Sequence, residues 1–134
     1  MDTNTLYYGD NLKILRKCIP DNSIDLIYLD PPFKSKASYN VLFKEPTGEP
    51  SKAQVTAFED TWHWGTESQK SLQELMTFDS TPARVKELMS VLPSFIGEKT
   101  DMRAYLVMMC ARLVELKRVL KDTGSCKKPR TLTH

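Results

Sequence analysis

The sequence predicts an α/β fold in which helices flank a short parallel sheet. Two β-favouring runs, 5–8 and 24–29, are separated by a segment whose apolar residues recur at helical spacing. A connection of that length accommodates a helical crossover, so the two strands should run parallel. A long amphipathic pattern over 101–121 predicts the longest helix. With 134 residues, the chain suits one domain with a modest core.

The first predicted strand, 5–8, leads into a predicted helix. Gly9 ends the strand, and Asp10 or Asn11 can cap the helix because their side chains accept hydrogen bonds from exposed backbone N–H groups. The apolar positions of this helix are Leu12, Leu15, Cys18 and Ile19. Pro20 and the turn-forming residues after it end the helix.

The second predicted strand, 24–29, is nearly all apolar, which is typical of a parallel strand whose two faces are both covered by helices. Asp30 follows this strand directly, and Asp10 follows the first strand after one glycine. Because the carboxyl ends of parallel strands meet at one edge of a sheet, we expect both acids there. Open α/β sheets bind their ligands at that edge.

The rest of the chain predicts a loop, further helices and a tail. Residues 34–54 are rich in turn formers and lysines and predict a long loop. Three further helices are predicted, over about 67–78, 81–92 and 101–121. Gly124 is well placed to end the last of them. Residues 126–134 are polar and basic and predict a tail.

Composition and charge bound the class of protein. The net charge of +2 neither indicates nor excludes a nucleic-acid partner. The longest apolar stretch, 104–111, is far shorter than the roughly 20 residues that span a bilayer, so no membrane partner is expected. Three cysteines without metal-ligand spacing indicate a reducing, cytoplasmic setting and predict no metal site.

The tetrapeptide Asp30-Pro31-Pro32-Phe33 carries the clearest chemical information. An exocyclic amine on a nucleobase is a poor nucleophile because its lone pair is delocalised into the ring. The Asp30 carboxylate and the Pro31 carbonyl can accept hydrogen bonds from its two N–H groups and localise that lone pair. Consecutive prolines make the turn rigid, and Phe33 can stack on a base flipped out of a duplex. The motif therefore predicts a site that holds such an amine for methylation.

A rigid turn after a strand is the alternative interpretation of this tetrapeptide. Four residues alone would favour the turn. The position of the motif after a predicted buried strand, with a second acid at the same ligand-binding edge, favours the functional interpretation.

Several segments of the chain together resemble a known family. They are Gly9-Asp10-Asn11, Pro20 to Ile27, Asp30 to Phe33, Tyr39 to Phe43, Phe58 to Trp62 and Arg112 to Ser125. The combination resembles the amino-methylating DNA methyltransferases, the adenine-N6/cytosine-N4 family that uses S-adenosylmethionine. The resemblance implies a partial Rossmann-like methyltransferase fold, with 1–125 as its catalytic-motif half and 126–134 as the tail.

The resemblance also implies an activity and a set of site residues. The activity is methylation of double-stranded DNA, with adenine N6 as the favoured target. The implied catalytic residues are Asp30, Pro31, Pro32 and Phe33, the implied cofactor-binding residues are Asp10 and Asn11, and the implied DNA-binding residues are Lys34, Lys36, Tyr39 and Asn40. For the lysines a solvated loop is an equally good interpretation, and Asp10 is also a helix cap.

Both tryptophans lie in the segment Trp62-His63-Trp64. We interpret these three residues as packing residues with a hydrogen-bonded imidazole, in preference to a platform on which bases stack. Cys110, on the apolar side of the long helix, is interpreted as a core residue.

The glycines depart from the family pattern. Relatives with the catalytic tetrapeptide near the N-terminus carry a glycine loop for S-adenosylmethionine toward the C-terminus. The five glycines of this chain are isolated, and no Gly-x-Gly occurs among them. The sequence after Ser125 also lacks the apolar strand that the family pattern continues into. Both departures indicate an incomplete form, which would associate with a missing C-terminal half or with itself.

Three hypotheses remain at the level of sequence. The first, which we favour, is the catalytic half of an amino-methylating DNA methyltransferase. The second is a non-enzymatic fragment that binds nucleic acid or a partner, for example one half of a split enzyme. The third is a small α/β nucleotide-binding module, or an enzyme that methylates an amine in RNA or protein.

Overall fold

The computed structural model describes residues 4–30 and 62–128 of the chain. In chain order, the elements in these residues are α1 (Asn11–Cys18), β1 (Ile24–Tyr28), α2 (Thr66–Thr77), α3 (Ala83–Val91), α4 (Pro93–Ile96), α5 (Asp101–Val119) and β2 (Leu120–Lys127). The predicted α/β class is confirmed, since the described residues combine helices with a two-stranded parallel sheet.

The chain divides into two compact units. Unit 1 comprises residues 1–60 and 116–134, and unit 2 comprises residues 61–115. The boundary falls inside α5, so the last turn of that helix belongs to unit 1 together with both strands. The single domain that the length predicted therefore contains two units.

The sheet of unit 1 pairs β1 with β2 in parallel. The register partners are Ile24 with Leu120, Leu26 with Ser125, Ile27 with Cys126, and Tyr28 with Lys127. Between the first two pairs β1 advances from 24 to 26 while β2 advances from 120 to 125, which is a bulge in β2. Beyond the strand, the backbone N–H of Leu29 donates to the Lys127 carbonyl at 2.8 Å. The pairing thus continues to the residue before Asp30.

Gly124 lies inside the bulge of β2. A Cβ atom at this position would be 2.7 Å from Leu120 Cδ1 and 3.0 Å from the backbone carbonyl oxygens of Asp25 and Lys121. A residue larger than glycine would therefore require the end of the Leu120 side chain to move and the two backbone carbonyls to shift. The prediction that Gly124 ends the long helix is wrong, because α5 ends at Val119 and the glycine instead permits a close backbone approach.

Two further sequence predictions about unit 1 are wrong. Residues 5–8 form no strand and are exposed, with Leu6 at 95% of its full accessibility, and the partner of β1 is β2 instead. The predicted tail begins inside β2, because Cys126 and Lys127 pair with β1. Local β propensity is a weak guide in both cases, since pairing with a distant segment decides which residues become strands.

The burial of the two faces of β1 also differs from what its apolar sequence predicts. A nearly apolar parallel strand predicts helices on both faces, but Leu26 is 57% exposed and Tyr28 is 66% exposed. On the other face Ile27 and Leu29 are half-buried. One face of the sheet is therefore accessible to solvent at β1.

Arg118, in the last turn of α5, connects that helix to the end of α1. Its guanidinium donates to the backbone carbonyls of Leu15 at 2.8 Å and Ile19 at 3.2 Å, and it forms an ion pair with the Asp21 carboxylate. The backbone N–H of Asn22 donates to the Arg118 carbonyl at 3.1 Å. The guanidinium thus satisfies carbonyls at the end of α1 that have no partner within the helix.

Unit 2 is helical in its described residues. The helices predicted near 67–78 and 81–92 are confirmed as α2 and α3, with bounds that differ by one or two residues. Its buried apolar side chains are Leu75, Met89, Ala104, Val107 and Ala111. The Ser68 hydroxyl accepts from the Gly65 N–H at 2.9 Å and donates to the Gly65 carbonyl at 3.0 Å, which holds the start of α2.

Replacing Gly124 by alanine should destabilise the protein. The added methyl group meets two backbone carbonyls, so the bulge must shift, and overpacking of this kind costs about 1–3 kcal/mol. Urea-induced unfolding of the variant measures this loss. Gly65→Ala is the matched control, because nothing lies within 4 Å of its added Cβ. Equal stability of the two variants would contradict this account of the bulge.

Replacing Arg118 by lysine should also lower the free energy of unfolding. An ammonium keeps the charge but cannot reach several carbonyls in the geometry of a guanidinium, and hydrogen bonds that involve a charged group contribute about 1.5–3 kcal/mol. Thermal and urea unfolding measure the change. The exposed neighbour Lys117 provides the control, since Lys117→Arg should leave stability almost unchanged. An unchanged free energy of unfolding in Arg118→Lys would show that the contacts of the guanidinium do not hold unit 1 together.

Candidate functional site

Asp30 lies at the carboxyl end of the parallel strand pair. It follows Leu29, the last residue bonded to β2, and it is exposed. Because β1 and β2 run in parallel, Lys127 and Lys128 at the end of β2 lie at the same edge of the sheet. Among the described residues, the edge therefore combines the Asp30 carboxylate with the Lys127 and Lys128 ammonium groups, and it is the edge at which open α/β sheets bind ligands.

The register of the strand pair indicates which side chains near this edge share one face of the sheet. Tyr28 and Lys127 are register partners, so their side chains lie on the same face of the sheet. Alternation along an extended chain adds Asp30 to that face, because a residue that precedes proline is held extended. All three are exposed. We call Tyr28, Asp30 and Lys127 the carboxyl-edge surface.

Asp10 caps α1, as one of its two interpretations predicted. Its Oδ1 atom accepts a hydrogen bond from the Leu12 N–H at 2.9 Å, and Asn11 is the first residue of the helix. Both are exposed. The expectation that Asp10 follows a strand of the sheet is wrong, because residues 5–8 form no strand. Its position is set by α1 instead.

All of the other predicted site residues lie outside the described residues. They are Pro31, Pro32 and Phe33 of the catalytic motif, and Lys34, Lys36, Tyr39 and Asn40 of the predicted DNA contacts. Their assignments stay predictions.

Aromatic and basic side chains pack together in unit 2. The ring centroids of Trp62 and Tyr105 are 5.8 Å apart in an edge-to-face arrangement. The guanidinium carbon of Arg103 lies 4.4 Å from the ring centroid of Trp64, and that of Arg112 lies 5.7 Å from the centroid of Trp62. Both tryptophans are half-buried. Rings already covered by arginines and a tyrosine fit the packing interpretation better than a base-stacking platform.

His63 also has a partner in unit 2. Its Nδ1 atom lies 3.1 Å from Oδ1 of Asp101, the first residue of α5. The hydrogen-bonded imidazole that the sequence predicted is confirmed. A carboxylate at the amino end of α5 is itself favourable for the helix dipole, so this contact has a structural role.

The cysteines differ in their surroundings. Burial raises the pKa of the Cys110 thiol, whereas Cys18 and Cys126 are exposed, and all three are free thiols. The described residues contain no group of three or more His, Cys, Asp or Glu side chains that could hold a metal ion.

S-Adenosylmethionine does not fit the described residues by themselves. Asp10 and Asn11 are the two residues assigned to it, and the Asp10 carboxylate already holds the amino end of α1. The sequence contains no Gly-x-Gly from which a loop around the cofactor could form. A complete cofactor site would need groups other than these.

The sequence interpretation missed Lys127. The residue was assigned to the tail because the sequence after Gly124 has no periodicity and almost no apolar content. One signal could have found it, namely that the family pattern continues into a strand just after Gly124 and Ser125. The structure has a strand here, β2 (Leu120–Lys127), which begins before Gly124 and consists mostly of polar residues.

Comparisons of the chain with protein-family models, with curated proteins and with solved structures find no match. Within the described ranges, every helix is too short or too polar to cross a membrane. The geometry of unit 1 and the motif that follows β1 are the features of the chain that bear on its function.

Thiol labelling should distinguish Cys110 from the other two cysteines. A raised pKa lowers the thiolate fraction at a given pH, and the thiolate is the reactive form. Ellman's reagent should therefore label Cys18 and Cys126 first and Cys110 last, and the slow phase should become faster as the pH is raised.

The variant Cys110→Ala assigns the slow phase, because it should remove that phase and leave the fast ones. Labelling of Cys110 as fast as that of Cys18 would contradict its burial in the folded protein.

Proposed function

We propose that this chain carries the catalytic half of an amino-methylating DNA methyltransferase with a partial Rossmann-like fold. The observation that carries the proposal is the position of Asp30, which is exposed at the carboxyl edge of a parallel strand pair. The sequence Pro31-Pro32-Phe33 follows it directly. An acid, a rigid turn and an aromatic ring at a ligand-binding edge suit a flipped base.

The chemistry assigned to the chain is activation of an exocyclic amine. The Asp30 carboxylate and the Pro31 carbonyl would each accept one N–H of the amine, which localises the nitrogen lone pair and orients it. The exposure of Asp30 supports this role, because a carboxylate without a covering side chain can be approached by a base. Adenine N6 is the favoured target by resemblance.

The methyl donor of the proposed reaction is S-adenosylmethionine. It supplies an electrophilic methyl group when bound, but the described residues do not form its site alone. Asp10 and Asn11 would contribute from the start of α1. The glycine loop that the resemblance implies is not among these 134 residues, so other groups would have to complete the cofactor site.

Double-stranded DNA is the proposed partner, and Lys34, Lys36, Tyr39 and Asn40 are the proposed contacts outside the described residues. The free thiols of the three cysteines agree with a cytoplasmic setting. A second candidate function is a split-enzyme fragment that binds DNA or a partner without catalysis. The missing Gly-x-Gly favours this candidate.

Asp30→Ala should abolish methyl transfer to DNA and leave the fold intact, because the side chain is exposed. The assay follows radiolabelled methyl transfer from S-adenosylmethionine to duplex DNA. Asp122→Ala, another exposed acid of unit 1, is the control and should retain activity. Retained transfer in Asp30→Ala would refute the mechanism.

A calorimetric titration with S-adenosylmethionine separates the two candidates. Binding that is weakened by Asp10→Ala supports a cofactor site in this half of the enzyme. If the unchanged chain neither binds the cofactor nor transfers a methyl group, the non-catalytic fragment is favoured instead.

A further inference from the structure

We propose that Lys127 and Tyr28 bind the nucleic-acid backbone beside the Asp30 carboxylate. Lys127 contacts a phosphate of the strand that carries the target base, and Tyr28 packs against a neighbouring nucleotide. This inference rests on the proposed function, and it assigns DNA contacts to the described residues of unit 1.

The register of the sheet places the three groups at contact distance from one substrate. Tyr28 and Lys127 are register partners, and the backbone N–H of Leu29 donates to the Lys127 carbonyl at 2.8 Å. Two residues along a strand span about 6.6 Å and neighbouring strands lie about 4.8 Å apart, so the backbones of Lys127 and Asp30 are roughly 8 Å apart. A nucleotide strand has one phosphate about every 3.4 Å of helix axis in duplex DNA, so a phosphate near Lys127 belongs to a nucleotide close to the target.

The charges along the strand pair are unevenly balanced. At the amino end Lys121 Nζ lies 2.8 Å from Asp25 Oδ1, so that lysine already has an acidic partner. At the carboxyl end the described cations are Lys127 and Lys128, whereas the described acid is Asp30. The described residues at the carboxyl end therefore carry an excess of positive charge, which attracts phosphate.

Tyr28 adds an apolar contact to this charge. Its side chain is 66% exposed although it lies in a strand, and Leu26 on the same face is 57% exposed. An exposed aromatic ring beside a lysine is the combination by which proteins hold single nucleotide strands, with the ring against a base or sugar and the cation on the phosphate. A strand that enters over this face would bring its base to Asp30.

The test is the salt dependence of DNA binding by the full chain. The probe is a fluorescein-labelled duplex with an adenine opposite an abasic site, because that adenine leaves the stack at little cost. Fluorescence anisotropy gives the affinity at several salt concentrations. Lys127→Gln should reduce the slope of log affinity against log salt by about 0.9, the value for one phosphate contact. Lys127→Arg should keep the slope, and Lys99→Gln, an exposed lysine of unit 2, is the control with an unchanged slope.

Tyr28→Thr tests the apolar contact separately. The change keeps a β-favouring residue in β1 but removes the ring. It should weaken binding about fivefold or more, by the usual contribution of one stacked base, and leave the salt slope unchanged. Unfolding curves of each variant show whether the fold is retained.

An unchanged slope in Lys127→Gln would overturn the proposal, because it would show that this lysine does not contact a phosphate. Absence of DNA binding by the unchanged chain would overturn it as well. Failure of the proposed function is a separate result. In that case Asp30→Ala would not affect methyl transfer, while the slope change at Lys127 would still establish a nucleic-acid contact.

Discussion

Unit 1 depends on the contacts that Arg118 makes at the end of α5. The planar guanidinium has five N–H donors, enough to serve two carbonyls and the Asp21 carboxylate together. The backbone carbonyls of Arg118 and Val119 accept from Asn22 and Ser23, just before β1 begins. Because α5 passes without a loop into β2, these contacts fix where β2 starts beside β1. The position of Asp30 at the sheet edge follows from them.

The bulge at Gly124 then decides which side chains share a face. Between the first and second register pairs β2 has more residues than β1, and the extra residues include Gly124, where a side chain would crowd two backbone carbonyls. A slip of one residue in a strand pair moves every side chain to the opposite face. The bulge therefore places Lys127 beside Tyr28, and a different register would separate the lysine from the face that carries the ring and the carboxylate.

Residue types and spacing within short segments predicted the helices and the Asp10 cap of α1 well. They predicted the sheet only in part. Asp10 caps α1 through a contact with Leu12, a neighbour in sequence, so the residue type was enough. The partner of β1 comes from 120–127, almost a hundred residues away, and its polar composition resembles a tail. Likewise the apolar sequence of β1 predicted burial on both faces, whereas Tyr28 is exposed. Which strand pairs with β1 and which side chains cover its faces depend on residues far away in the sequence. A local sequence pattern carries no information about those residues.

Under the proposed function, Lys127 of the carboxyl-edge surface would have two anions within reach, the Asp30 carboxylate and a phosphate of the bound DNA. Without DNA, any attraction between Lys127 and Asp30 would compete with the amine for the carboxylate. At a solvent-exposed edge it is weak, about 1 kcal/mol at 4 Å in water. A phosphate has a comparable charge and draws Lys127 away when the strand binds. The carboxylate is then open to accept the amine N–H, so under the proposed function backbone binding prepares Asp30 for the base.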